Sequence, residues 1–264
     1  MPTISYRSGI SIAFLTIYVP ALLLAALLTH RHGSIFLFLT LFLLIRLLAS
    51  SLQLATIASP TNPALPIAYT ILQAIGLSPL ELTALALLTR AIQGIERNRG
   101  AISIRPIHLR LVQLCVVIGL ILGVVGGAKA GSGDHDGSAR SLTRAAVGLF
   151  LGAFAVICVV TLKAVLGIES VQKGEKRVLG AVVASMPLLV VRLVYAGMAV
   201  FGTDERFSLL GGDVTVLLCM VMLMELGVVV VFEGVGVTLR VVEMEKGPEV
   251  EGSLLMRKIR GLYK

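Results

Sequence analysis

Hydrophobic positions along this chain do not alternate with polar ones. They gather into seven long blocks, at 10–28, 35–57, 65–92, 112–128, 145–168, 178–202 and 214–239, with polar stretches between them. A helix needs about 20 apolar residues, with a range of roughly 17–25, to cross the hydrocarbon of a bilayer. Every block reaches that length. Strands of a membrane barrel would be about 10 residues long and would alternate in polarity. A helix instead satisfies its own backbone hydrogen bonds, as any segment in lipid must. The pattern predicts an all-α polytopic membrane protein, a single bundle of seven transmembrane helices.

The separators differ in character. Ser59-Pro60-Thr61-Asn62-Pro63 is a turn whose prolines cannot continue a helix. Residues 97–110 form a basic loop, and residues 131–141 a Gly/Ser/Asp loop. The division expected is a seven-helix domain over 1–240 and a basic, amphipathic tail over 241–264. In that tail Leu255, Ile259 and Leu262 fall at helical spacing, with Arg257, Lys258 and Arg260 among them. A helix of that kind lies on a membrane surface and meets anionic lipid headgroups.

Lys and Arg beside the spans set orientation. One side holds Arg31, then Arg90, Arg97, Arg99, Arg105 and Arg110, then Lys173, Lys176 and Arg177, and the basic residues from Arg240 onward. The other side holds Arg7, Lys129, Arg140, Arg144 and Arg206. The bias predicts the N-terminus outside and the C-terminus in the cytoplasm. The first block is longer than a signal-peptide core, and Thr29-His30-Arg31-His32 follows it in place of a small-residue cleavage site. A retained first helix is expected.

Composition supports the same class. Of the 264 residues 56% are hydrophobic and 14% charged, with a mean hydropathy of +0.95. Soluble domains carry about 25% charge, so a soluble enzyme, a disordered chain and a disulfide-built secreted module are excluded. The net charge of +8 would suggest nucleic acid for a soluble protein. Beside apolar spans it points to lipid headgroups, and no nucleic-acid partner is expected. Cys115, Cys158 and Cys219 each lie in an apolar run, where they read as small buried hydrophobes. Asp134-His135-Asp136 is a short polar cluster in a loop and no closed ligand set. Neither a metal nor a cofactor is expected.

The informative residues are four charges near the middle of their runs: Arg46, Glu81, Arg192 and Glu225. An Arg at mid-helix costs about 2.5–3.5 kcal/mol on insertion scales. Two Arg and two Glu offset that cost by pairing, and a guanidinium matches a carboxylate well. Depth allows Arg192 with Glu225, and Arg46 with Glu81. Gln53, Gln73 and Tyr195 are candidates for the remaining donors and acceptors. Glu233 lies deeper and has no evident partner, which suggests a watery vestibule or a proton. Such a cluster is either a clamp that fixes helix packing or a binding site for a small ligand, ion or proton.

Small residues recur at Gly119, Gly123 and Gly127, and again at Gly148 and Gly152. That spacing lets helix backbones approach closely, within one chain or in a dimer. Pro20, Pro79 and Pro187 lie inside runs and predict kinks, two of them near buried charges.

Leu43-Leu44-Ile45-Arg46, Gln53-Leu54-Ala55-Thr56, Leu77-Ser78-Pro79-Leu80 and the sixth-span stretch Pro187-Leu188-Leu189-Val190-Val191-Arg192-Leu193-Val194-Tyr195 together resemble a group of fungal seven-helix integral membrane proteins known only as a domain of unknown function. The resemblance spans nearly the whole chain and implies a multi-pass membrane location. More distantly the layout is similar to fungal lipid-exporter-like and PTH11-type receptor-like proteins. It departs from rhodopsin-type receptors: Leu88-Thr89-Arg90-Ala91 ends the third run without their acidic-Arg-aromatic triplet, and the seventh lacks Asn-Pro-x-x-Tyr.

No P-loop, nucleophile elbow, zinc motif or dinucleotide fingerprint is present, so an enzyme is not expected. A receptor-like sensor with a buried polar site is the first expectation. A transporter or lipid-handling protein is the alternative, followed by a scaffold whose charge pairs only fix packing.

Overall fold

The computed structural model describes residues 6–59, 64–99, 106–131, 137–166, 173–202, 206 and 213–239. The tail with Arg257, Lys258 and Arg260, the cluster Asp134-His135-Asp136, and Pro60 and Pro63 lie outside the described residues. In chain order the helices are α1 (Tyr6–His32), α2 (Leu37–Ala58), α3 (Ala64–Ile75), α4 (Leu77–Arg99), α5 (Pro106–Gly131), α6 (Ser138–Leu166), α7 (Lys173–Phe201), α8 (Val214–Leu217) and α9 (Leu223–Thr238). They make seven spans long and apolar enough to cross a membrane. The protein is an all-α, integral, multi-pass membrane protein.

Most helices run past the apolar blocks at one or both ends. In the fourth span α5 covers Pro106–Gly131 rather than 112–128, because a helix's backbone hydrogen bonds do not need apolar side chains and continue after hydrophobicity stops. α1 turns into α2 through Gly33–Ile35, where Gly33 adopts a φ of 71° that favours glycine. The hydroxyls of Thr29 and Thr40 clasp the hairpin at 2.9 Å.

The third span is the inner one. In its most apolar window 72% of residues are buried, against 22% in the first and fourth spans. α4 packs on α2, α5, α6 and α7. This span is two helices rather than one, broken at Gly76. Pro79 explains the break. It has no N–H, so the Ile75 carbonyl loses its usual helical donor. The Ser78 hydroxyl donates to that carbonyl instead, at 2.9 Å. The seventh span is also irregular: a π-helical stretch, Leu218–Met222, joins α8 to α9. Such bulges reset the face a helix presents.

Large apolar side chains such as Leu23, Leu27, Leu111, Leu162 and Val230 cover the outside of the bundle. This is the surface expected against acyl chains. The cysteines belong to this periphery. All three are free; Cys219 is exposed and the other two are half-buried, so the expected burial fails where their helices face outward.

Candidate functional site

Arg46 comes from α2, Gln73 from the last turn of α3, Glu81 from α4, Arg192 from α7 and Glu225 from the first turn of α9. Five helices thus converge on one point inside the bundle. None of these residues is more than 3% exposed. The sequence expectation of mid-membrane charges facing each other rather than lipid holds.

The pairing is only half as expected. Arg192 does meet Glu225: its Nε donates to Glu225 Oε1 at 2.7 Å. Arg46 does not meet Glu81. Its Nη2 donates to the same Oε1 of Glu225. The cause is Gly76. A Cβ there would lie 2.5 and 2.7 Å from Nη2 and Cζ of Arg46, so the missing side chain at the helix break gives the guanidinium its place. Glu81 is five residues further on, turned by about 140° around an ideal helix.

The break supplies a second contact. Arg192 Nη2 donates to the Gln73 backbone carbonyl at 3.1 Å, two residues before the end of α3. Both arginines therefore touch the interruption in the third span, one at Gly76 and the other at Gln73. Interrupted helices expose backbone groups where a polar site needs them. The Gln73 side chain turns the other way and its Nε2 donates to the Tyr69 hydroxyl at 2.8 Å.

Aromatic rings close the cluster. The Arg46 guanidinium carbon lies 5.3 Å from the Phe42 ring centre, and that of Arg192 lies 6.0 Å from the Tyr195 ring. Both fall within the range of cation–π attraction. Tyr195 lies beside the cluster as expected, but it meets Arg192 through its ring rather than as the expected donor or acceptor. Gln53 is half-buried two turns along α2 from Arg46 and is not joined to the network among the described residues. Phe42, Tyr69 and Gly76 were not singled out from sequence. Nor was Tyr18 of α1, buried within electrostatic reach of Glu225 and Arg46. The spacing of Tyr69 and Gln73, one helical turn apart, was the only signal for any of them.

Hydrogen bonding in the cluster is incomplete. Among the described residues, Arg46 Nε and Nη1 and the Tyr18 hydroxyl have no acceptor, and Glu225 Oε2, Gln73 Oε1 and both oxygens of Glu81 have no donor. Buried polar groups are normally satisfied, and two side chains with unmatched donors stand beside three side chains with four unmatched acceptor oxygens. Glu81 is within electrostatic reach of Arg192 but forms no hydrogen bond to it. Glu233, two turns further along α9, is also buried with one oxygen unpartnered, as its sequence position suggested.

The glycine stripes divide. Gly119 and Gly126 of α5 press on Phe150 and Thr143 of α6, and Gly127 presses on Ile71 of α3. Gly148 and Gly152 of α6 face open space. Among the described residues no group of His, Cys, Asp and Glu is arranged to hold a metal ion.

Comparison with known families gives one match: a family described as a domain of unknown function, DUF7702, whose model covers residues 4–242. Neither the curated proteins nor the solved structures yield a match.

Proposed function

We propose, for this chain as a member of the DUF7702 family to which it belongs, that it is a receptor-like sensor which binds a small polar ligand at the Arg46–Glu225–Arg192 cluster. The observation that carries the reading is the set of unmatched donors and acceptors around one shared carboxylate oxygen. A clamp built only for packing is best served by complete pairing, since a half-satisfied buried network is costly. An occupant with polar groups of its own would complete this one. Enclosure supports sensing: every member is buried, so a ligand there acts on the helices around it.

The break in the third span favours a second reading, transport. Carriers build their midplane sites from interrupted helices. The orientation that goes with either reading is an outside N-terminus and a cytoplasmic basic tail that rests on anionic headgroups. Accessibility of tags at both ends in intact cells tests it, and a cytoplasmic N-terminus would refute it.

The binding test is a thermal-shift screen of small polar compounds on the purified protein in lipid nanodiscs. A stabilising compound whose effect is lost in Arg46→Met, which keeps the Arg192–Glu225 pair, supports the reading. Accumulation of that compound in proteoliposomes moves the assignment to transport. A broad panel without any stabilising compound refutes both.

A further inference from the structure

The charges at the bundle centre do not cancel in pairs. Two guanidiniums share Glu225, while Glu81 is wholly buried and, among the described residues, accepts no hydrogen bond. With Glu81 ionised the quartet is neutral. With Glu81 protonated it carries one positive charge, and an uncompensated charge at this depth is costly. The protonated state therefore has room, electrostatically, for one anion.

The open valences fit that count. Among the described residues Arg46 Nε and Nη1 have nothing to donate to, and a guanidinium is the side chain best suited to a planar carboxylate. On the other side acceptors are in surplus: Glu225 Oε2, Gln73 Oε1 and both oxygens of Glu81. A proton on Glu81 adds the donor that this side lacks.

We propose that the cluster binds a small monocarboxylate and that binding is coupled to the uptake of one proton by Glu81. This rests on the reading that the cluster is a ligand site, and adds the ligand's class and its linkage to protons. The carboxylate accepts from Arg46, the proton stays on a Glu81 oxygen, and the net charge of the filled site is zero. Against α4, α7 brings Arg192, α2 brings Arg46, and α9 adds Glu225 through both arginines; Tyr18, Tyr69 and Gln73 bring hydroxyls and an amide. Glu233 lies two turns beyond Glu225 on α9, so the loss of proton uptake in Glu81→Gln is what separates the two carboxyls. His108, Arg110 and Lys129 of α5 and Arg140, Arg144 and Lys163 of α6 are exposed. Arg90 and Glu175 sit toward the far end of α4, where Glu175 packs on Gly94.

Linkage fixes the sign: if binding takes up a proton, affinity falls as pH rises, by up to about tenfold per pH unit. The experiment is calorimetry on the full chain in nanodiscs, with acetate, butyrate and hexanoate as probes and hexanamide as the uncharged control. Measurements in two buffers of different ionisation enthalpy count the protons taken up. A carboxylate that binds with about one proton absorbed, while hexanamide does not bind, supports the proposal. In Glu81→Gln the carboxylate should still bind, with no proton absorbed and no pH dependence. Wild-type binding without proton uptake, or equal binding of hexanamide, overturns it. So does failure of every carboxylate alongside binding of a neutral or cationic compound, which leaves the sensor reading standing. If no compound of any charge binds, both readings fall. The wild-type buffer comparison decides the matter even where Glu81→Gln does not fold.

Discussion

Arg46 of α2 and Arg192 of α7 donate to the same oxygen atom, Oε1 of Glu225. One carboxylate therefore ties α2, α7 and α9 together, and the Gln73 carbonyl ties α7 to α3. Removal of Glu225 strands two guanidiniums, whereas removal of either arginine leaves a pair behind.

Glu225→Ala is accordingly expected to be the most damaging single change in the cluster. Breaking a buried pair by removing one partner costs about 3–5 kcal/mol. Arg192→Ala should cost less, because Arg46 continues to neutralise the carboxylate. The quadruple change Arg46→Met, Glu81→Gln, Arg192→Met and Glu225→Leu should recover most of the loss, since no charge is left alone. Thermal melting of the purified variants measures the order. Equal stability of Glu225→Ala and wild type would remove the shared carboxylate as a structural element.

The membrane class was legible because seven blocks of about the length of a bilayer crossing admit no other satisfied backbone. The membership of the cluster was legible too: Arg46, Glu81, Arg192 and Glu225 are expensive in lipid and had to face inward. So was the pairing of Arg192 with Glu225; that Arg46 takes the same carboxylate was not. That depends on Gly76, whose absent Cβ lets Arg46 pass the third span, and a lone glycine in an apolar run carries no such message. Pro79 announced a kink but not its place. The break falls three residues earlier because the lost hydrogen bond belongs to the carbonyl before it, at Ile75.

Gly76→Ala tests the passage directly. The new methyl would meet the guanidinium of Arg46 at 2.5–2.7 Å, so the side chain must move and its bond to Glu225 weakens. Overpacking of this kind costs about 1–3 kcal/mol. In an Arg46→Met background the penalty should shrink, with a coupling of about 0.5–3 kcal/mol in a double-mutant cycle. Additive effects would show that Gly76 serves some other contact.

Ser78 and Pro79 form a second testable pair. The Ser78 hydroxyl serves the carbonyl that Pro79 leaves without a donor. Ser78→Ala should cost about 1–3 kcal/mol, the penalty of a buried acceptor left unsatisfied. Pro79→Ala restores a backbone N–H at the right position. Ser78→Ala should then be close to neutral in that background, and amide hydrogen exchange around Ile75 should slow. A full penalty in both backgrounds would mean that the hydroxyl acts elsewhere.

The two faces of glycine make the last contrast. Gly126 lies so close to α6 that a Cβ would come within 2.7 Å of the Thr143 hydroxyl and 3.1 Å of its backbone nitrogen. The backbone contact cannot move aside as a side-chain tip can. Gly126→Ala is therefore expected to pry α5 from α6, again at about 1–3 kcal/mol. Gly148 has open space around it, so Gly148→Ala meets nothing and gains up to about 1 kcal/mol of helix propensity. Melting of the two variants side by side should move them in opposite directions. A loss at Gly148 as large as that at Gly126 would instead reveal that the outer face of α6 is covered in the assembled protein, as a second copy of the chain would cover it.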